Sequence, residues 1–195
     1  MTFDELSPAV VFEAAAAERK SGAEVIFDPG QRSPAFGSKR RAELDSILRF
    51  ATVLTLTEDE LEFIAPGVTP EEGAHRLLER FGGSSSGALD WVVVKQGPEG
   101  AFVAGEFDSI FQEVFEIELA DSVGCSDLFV AVLYLGRMCH CGAQSTLRIA
   151  CATGAATAES RGAGRNVGTL SPTRELVERK YGPKEMIALF SALAT

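Results

Sequence analysis

Seven residues near the middle of the chain, 121–127, have the types and spacing to bind a phosphate group and to accept a proton. Small residues at 124–126 precede the strongly apolar stretch 128–138, a pattern typical of a helix start. Small residues there leave the first backbone N–H groups uncovered and direct the positive end of the helix dipole outwards, which favours an anion. Asp127 would lie in the same first turn, where it could take a proton from a hydroxyl group. Phosphoryl transfer to an alcohol needs both functions side by side.

Ordinary helix capping is the alternative explanation for this segment. Asp and Ser are common at helix starts, where a capping side chain stabilises the helix by about 0.5–2 kcal/mol. Spacing alone therefore leaves a capped helix and a phosphate site both open.

The sequence DSVGCSDLF, which begins at Asp121, resembles the second signature of the PfkB-type carbohydrate kinases, the ribokinase-like family. The usual form of that signature is D-T-x-G-A-G-D before an apolar helix. The resemblance assigns an amide anion hole to Gly124, Cys125 and Ser126, and the role of general base to Asp127. Ser126 replaces a glycine, which would cause strain if the backbone needed a positive φ. We expect Ser126 to fit, because residues in a first helical turn normally have negative φ.

The sequence TEDE from Thr57 to Glu60 is typical of a capping box, in which the two end residues bond to each other's backbone amides. In the PfkB-type family an N-x-x-E motif occupies this place. The resemblance implies that Glu60 orders Mg²⁺ and the water around the phosphates. Thr57, which stands in place of the family's Asn, is the corresponding candidate for cofactor contact.

Two further segments at strand ends resemble family elements. KQGPEG, from Lys95 to Gly100, is either a glycine-permitted hairpin turn or the equivalent of the family's K-x-G-x-x-G loop beside the nucleotide. The resemblance makes Lys95, Gly97 and Gly100 candidates for ATP binding. FDPGQR resembles the family's D-P-x-x-R turn, although its Asp28 could simply cap a turn.

The sequence GAGRN, from Gly162 to Asn166, follows a helix rich in small residues. Gly162 could simply end that helix. The resemblance instead implies that the loop closes over adenine, with Cys151 on the preceding helix beside it. It also implies a monovalent cation near the carbonyls of Asp121 and Val123.

The elements that would position these residues alternate between strand and helix. The nearly continuous apolar runs 25–27, 52–56 and 91–94 are typical of parallel strands covered on both faces. The first three strands are predicted from residues 23, 52 and 91, with an antiparallel edge at 101–104 and 109–119. The helices are predicted at 7–20, 38–50, 125–138 and 143–160, with short helices from residues 57 and 70. Polar residues follow the first three strands, at the edge where open α/β sheets bind ligands.

The predicted fold class is therefore α/β, with a mostly parallel Rossmann-like sheet. The resemblance refines this to the three-layer α/β/α sandwich of the ribokinase-like proteins. It covers about residues 3–170 and matches only the later part of the family's domain. We therefore expect an N-terminally truncated, single partial kinase domain over 1–195, in which 171–195 is a C-terminal helical extension. The helix 125–138 should be mostly buried, since its apolar side chains surround much of its circumference.

Composition excludes several classes of function. The chain has 195 residues, 46% of them hydrophobic, a net charge of −10 and a pI near 4.7. We therefore expect neither a nucleic-acid nor a membrane-surface partner, since both need a positive surface. The four cysteines form no spaced framework, which favours reduced thiols and a cytoplasmic location, with organellar targeting left open. Cys139, His140 and Cys141 lack the second ligand pair of a metal site.

The resemblance thus predicts an ATP- and Mg²⁺-dependent kinase that phosphorylates an alcohol group of a small-molecule sugar or nucleoside. A P-loop motif and a hydrolase triad are both absent from the sequence. The alternatives are a catalytically inactive nucleotide-binding or interaction protein and a non-functional fragment without the sugar-binding part. The identity of the acceptor and the oligomeric state stay open.

Overall fold

The computed structural model describes residues 8–30, 38–83, 89–162 and 170–183. The chain divides into two compact units. Unit 1 consists of Met1–Gln96 and Phe102–Ser109, and unit 2 of Gly97–Ala101 and Ile110–Thr195.

Helices and strands follow one another largely as predicted. The helices are α1 (Pro8–Lys20), α2 (Ser38–Leu48), α3 (Glu58–Ile64), α4 (Pro70–Phe81), α5 (Cys125–Met138), α6 (Ala143–Ala158) and α7 (Leu170–Tyr181). The strands are β1 (Ile26–Phe27), β2 (Val53–Thr57), β3 (Trp91–Lys95), β4 (Gly100–Gly105) and β5 (Asp108–Glu113). A 3₁₀ turn, Gly97–Glu99, joins β3 to β4.

The sheet is mixed and has the strand order β1-β2-β3-β4-β5. β1, β2 and β3 are parallel, with Ile26 opposite Val53 and Val53 opposite Trp91. Only a few residues connect β3 to β4 and β4 to β5. Parallel neighbours need a long crossover connection, so these short connections join antiparallel strands. The predicted α/β class with a Rossmann-like parallel segment is therefore confirmed.

The core of unit 1 forms where the apolar strands meet α2, α3 and α4. Leu54, Leu56, Val92 and Val94 lie on one sheet face and pack with helix residues such as Phe81, all fully buried. Burying such a side chain stabilises the fold by about 1.5–3 kcal/mol. α4 begins as predicted, with a hydroxyl cap at residue 69 and proline at the first helical position. Its buried stripe therefore fixes the helix against the sheet.

Helices α5, α6 and α7 form the core of unit 2 through small residues. α6 is buried along most of its length, as its run of Ala, Gly and Thr predicts. α5 and α6 approach so closely at Gly136 that a Cβ there would lie 2.4 Å from the Cγ2 and Oγ1 atoms of Thr146.

The prediction that α5 is mostly buried is wrong. Tyr134, Leu135 and Met138 are 43%, 50% and 55% exposed, whereas Phe129 and Leu133 are buried. The apolar side chains surround the helix and do not indicate which side packs. The contact at Gly136 turns the opposite side towards solvent.

Two predicted strands are longer than the observed ones. β1 contains only Ile26 and Phe27, although the prediction starts it at residue 23. β5 ends at Glu113, although the prediction continues it to residue 119. The carbonyls of Val114 and Glu116 accept hydrogen bonds from the side chains of Lys180 and Arg179, at 2.9 and 2.7 Å. Side chains of α7 thus satisfy backbone groups that a neighbouring strand would otherwise bind.

Candidate functional site

The start of α5 has the backbone geometry of an uncovered anion site. Gly124 is the N-cap residue, with φ 86° and ψ −8°, and no side chain caps the helix. The first amides of a helix have no intrahelical acceptor, so the amides of the first turn remain available to a ligand. The amide of Cys125 is partly engaged, since it lies 3.3 Å from the carbonyl oxygen of Ser122. The positive φ at position 124 is a conformation that glycine adopts without strain.

Ser126 lies inside α5 and is not among the residues with positive φ, as the sequence predicts. The exchange of the family's glycine for serine therefore causes no backbone strain here. Asp127 is in the first turn and exposed. The described residues provide its carboxylate with no ion-pair partner within salt-bridge distance. A carboxylate in this state can accept a proton from a bound hydroxyl.

Asp121 has a structural role that the sequence does not reveal. One carboxylate oxygen accepts the amide of Val123 at 3.0 Å, and the other accepts the amide of Gly162 at 2.9 Å. The amides of Ala120 and Asp121 both donate to the carbonyl of Ala158, at 2.8 and 3.1 Å. The segment before α5 is thus attached to the C-terminal end of α6.

The hydrogen bonds to Asp121 also change the acidity of its carboxyl group. The amides of Val123 and Gly162 hold the pKa of the Asp121 carboxyl below its ordinary value, because they stabilise the charged form. The guanidinium of Arg161 acts in the same direction with a smaller effect. The carboxylate is therefore charged wherever the fold is intact near neutral pH.

Thr57 and Glu60, in unit 1, form the predicted capping box. The Thr57 hydroxyl accepts the amide of Glu60 at 3.3 Å, and Glu60 Oε2 accepts the amide of Thr57 at 2.7 Å. Glu60 is only 5% exposed. The structural role of this motif is confirmed, and the roles of Glu60 in metal binding and of Thr57 in cofactor contact stay predictions.

Lys95 and Asp28 form a largely buried ion pair in unit 1. The Lys95 ammonium donates to Asp28 Oδ2 at 2.6 Å, and the lysine side chain is 10% exposed. Asp28 Oδ1 also accepts the amide of Gly30 at 3.2 Å, so Asp28 does cap a turn. The pair connects the residue after β1 with the end of β3, while β2 lies between them in the sheet. The charge of Lys95 thus has a partner within the protein, and its contact with ATP stays a prediction.

Gly97 and Gly100 are needed for different reasons. Gly97 has φ 54° and no atom within 4 Å of its Cβ position, so only the backbone angle favours glycine. A Cβ at Gly100 would lie 2.0 Å from the carbonyl oxygen of Gln112 on β5. Close approach within the protein therefore accounts for Gly100. Nucleotide binding by either glycine stays a prediction.

The adenine-side candidates lie on and after α6. Cys151 is buried, and burial raises the pKa of its thiol to about 12, so the group is neutral. Gly162 is exposed and has φ 84°, but α6 ends at Ala158 with Glu159 as its C-cap, so the helix stops before this glycine and the helix-stop alternative is wrong. Asn166 lies outside the described residues.

On α3, Glu60 is the predicted Mg²⁺ residue, and a single carboxylate cannot form a complete protein site for this ion. In the described ranges, no group of three or more His, Cys, Asp or Glu side chains has an arrangement that could hold a metal. Mg²⁺ commonly keeps several waters and binds to substrate phosphates with one or two carboxylates. One oxygen of Glu60 serves the capping box, and a role of this carboxylate in metal binding through bound water stays a prediction. The carbonyls of Asp121 and Val123 remain candidates for a monovalent cation.

Comparison with known proteins identifies the family. The pfkB family carbohydrate kinase profile matches residues 2–170. The chain belongs to the pfkB family of carbohydrate kinases. A fructokinase of Klebsiella pneumoniae is 30% identical over 138 residues, which make up 70% of this chain and 43% of that protein. A probable fructokinase-7 of Arabidopsis thaliana is 30% identical over 118 residues, 59% of this chain and 33% of that protein.

Solved structures share the fold of this kinase-family chain. A putative ribokinase II from E. coli in complex with ATP and Mg²⁺ superposes with a TM-score of 0.76 at 25% identity. That match covers 87% of this chain and 53% of the other. A fructokinase from Vibrio cholerae, solved with fructose, ADP and calcium, gives 0.74 at 23% identity, covering 87% and 56%. The chain thus spans less than half the length of these curated relatives and about half that of these solved structures.

Proposed function

We propose that this chain carries phosphoryl-transfer residues of an ATP-dependent kinase whose acceptor is an alcohol group of a sugar or nucleoside. In this proposal Asp127 is the general base that takes the hydroxyl proton. The amides of Gly124, Cys125 and Ser126 stabilise the charge on the phosphoryl group during transfer.

The observation that carries the proposal is the uncapped start of α5. Gly124 adopts a left-handed conformation, no side chain covers the first amides, and an exposed carboxylate follows three residues later. A simple capped helix would instead bring a side-chain oxygen onto these amides. The arrangement therefore supports ligand binding over the alternative of ordinary capping.

The nucleotide and metal assignments rest on the same family membership. Bound Mg²⁺ would offset the charge of the triphosphate, and Glu60 is the residue proposed to hold it through water. Lys95, Gly97, Gly100, Thr57, Cys151, Gly162 and Asn166 are the proposed ATP-side residues. The pairing of Lys95 with Asp28 would hold the ammonium in place before a nucleotide arrives.

The names of the relatives support two chemical classes of acceptor. Three of those described above are named as fructokinases, one of them a probable one, and one further structure is a Burkholderia thailandensis nucleoside kinase in complex with inosine, with a TM-score of 0.70. Both classes present a hydroxyl group next to a ring. We therefore propose a sugar or a nucleoside, with a ketohexose such as fructose as the first acceptor to test.

The test compares Asp127→Asn with the unchanged chain in a phosphoryl-transfer assay with ATP, Mg²⁺ and a panel of sugars and nucleosides. The variant should lose turnover by a factor of 10² or more, on the order expected for removing a general base. ATP binding, measured by calorimetry, should be unchanged.

A matched control is Asp108→Asn, which makes the same chemical change at an exposed residue with positive φ at the start of β5. Asn tolerates this conformation as well as Asp does, so turnover should stay at the starting level. Equal turnover of Asp127→Asn and the unchanged chain would refute the assignment of the base.

A second candidate function is nucleotide binding without transfer. The observation that favours it is that Glu60 and Lys95 already have partners inside unit 1, which leaves less capacity for metal and phosphate. This candidate predicts that ATP raises the melting temperature of the chain while no acceptor in the panel is phosphorylated. Detectable transfer to any acceptor would exclude it.

A further inference from the structure

The turn between α5 and α6 contains two cysteines separated by one residue. α5 ends at Met138, and Cys139, His140 and Cys141 follow it. The amide of His140 donates to the carbonyl of Arg137 at 3.1 Å, and the amide of Cys141 donates to that of Gly136 at 2.9 Å. These bonds form a Schellman motif, in which His140 occupies the position that is usually glycine. They hold the turn in one defined backbone conformation.

The central residue of the turn brings its neighbours close together. His140 has φ 53°, in the small left-handed region open to residues other than glycine. That conformation mirrors the helix, in which Cα atoms two residues apart are separated by about 5.4 Å. A disulfide needs a Cα–Cα distance of roughly 4.4–6.8 Å. The Cα–Cα separation in this turn therefore falls within the range that a disulfide between Cys139 and Cys141 needs.

The four cysteines differ in their accessibility. Cys139 is exposed and Cys141 is half-buried, whereas Cys151 is buried. Burial, and then the nearby Asp121 charge, raises the pKa of the Cys125 thiol, which lowers its reactivity. Burial, and then the neighbouring Cys139, raises the pKa of the Cys141 thiol. Of the four thiols, Cys139 is the most accessible to an external reagent. Its charge acts on the thiol of Cys141, which lies close by.

We propose that Cys139 and Cys141 are a redox-active dithiol site that small-molecule disulfides oxidise to an intramolecular disulfide. The Cys139 thiolate attacks one sulfur of glutathione disulfide, so that a mixed disulfide forms and one glutathione leaves as its thiol after taking up a proton. The Cys141 thiolate then attacks the Cys139 sulfur and releases the second glutathione. Two protein thiols are oxidised and one glutathione disulfide is reduced to two glutathione molecules, so atoms and electrons balance.

The experiment incubates the full chain with glutathione and glutathione disulfide at a series of fixed ratios, followed by intact-mass measurement and peptide mapping. At oxidising ratios the chain should lose two hydrogen atoms and keep two of its four free thiols. The map should join Cys139 to Cys141, and dithiothreitol should restore the starting mass.

Single variants identify the order of the two steps. Cys141→Ser should accumulate one glutathione on Cys139, because no second thiol resolves the mixed disulfide. Cys125→Ser leaves the pair intact and should still lose two hydrogen atoms. Three results would overturn the proposal: a lasting glutathione adduct on the unchanged chain, a disulfide that maps to another pair, or four free thiols at every ratio. The measurement on the unchanged chain decides the matter even if a variant does not fold.

Discussion

Gly136 is the point at which α5 and α6 come closest, and its replacement by alanine should weaken unit 2. The added Cβ would lie 2.4 Å from both branches of Thr146, whereas carbon atoms pack best at about 3.5–4.0 Å. Both Cγ2 and Oγ1 lie at that distance, so rotation of the β-branched side chain exchanges one clash for another. Overpacking of this kind costs about 1–3 kcal/mol. The higher helix propensity of alanine returns about 1 kcal/mol, which leaves an expected net loss of up to about 2 kcal/mol.

A second glycine provides the matched control. A Cβ at Gly154 on α6 would lie 3.5 Å from the Cys125 carbonyl oxygen, which is ordinary van der Waals contact. Gly154→Ala should therefore be neutral or stabilise the fold by up to about 1 kcal/mol, through helix propensity alone. Both variants make the same chemical change in a helix and differ only in the space available.

Urea unfolding followed by far-UV circular dichroism measures the stability change of each glycine variant. A third variant tests whether Thr146 causes the loss in Gly136→Ala. The Thr146 hydroxyl is buried and has no hydrogen-bond partner among the described residues, so Thr146→Ala removes both branches at little polar cost. The double variant Gly136→Ala/Thr146→Ala should recover most of the loss, with a coupling energy of about 0.5–3 kcal/mol. Equal stabilities of the two glycine variants, or additive effects in the double variant, would refute the reasoning.

Two further predictions concern the start of α5. Gly124→Ala should cost about 1–2 kcal/mol because the residue has a positive φ, whereas Gly142→Ala, at the N-cap of α6 with φ −61° and open space, should cost much less; equal midpoints in urea would contradict this. Because the folded-state pKa of Asp121 is lowered, its contribution is present above the unfolded-state pKa and is lost as pH falls through the folded-state value. In Asp121→Asn, the free energy of unfolding should therefore fall less steeply as the pH is lowered. An unchanged slope would show that the two amide contacts do not couple protonation of Asp121 to unfolding.

Local patterns in the sequence predicted the parts of the site that depend on neighbours along the chain. The bounds of α5, the capping box at Thr57 and the negative φ of Ser126 are confirmed. Each of these depends on interactions between residues at most a few positions apart. Composition and hydrophobic periodicity encode such short-range preferences directly.

Contacts between distant residues could not be predicted in the same way. The ion pair between Asp28 and Lys95 spans 67 positions, and the Asp121–Gly162 hydrogen bond spans 41. Asp28 and Asp121 also accept nearby amides, from Gly30 and Val123, and these local bonds do not indicate the distant partner. The exposed side of α5 was wrongly predicted for a related reason, because the packed side is chosen by Thr146 on another helix. Many polar residues lie at the ends of helices and strands, and the sequence does not indicate which of them pair.

Gly100 illustrates how close packing of the backbone can require glycine at a position, independently of any ligand. Since the backbone of β5 occupies the space that any side chain would need, saturation mutagenesis at this position should reject every other amino acid, whatever property is selected. Relatives that retain glycine there would do so even after losing the ability to bind a nucleotide. Tolerance at Gly97, where space is open, is therefore the more informative measure of selection for ATP recognition in this loop.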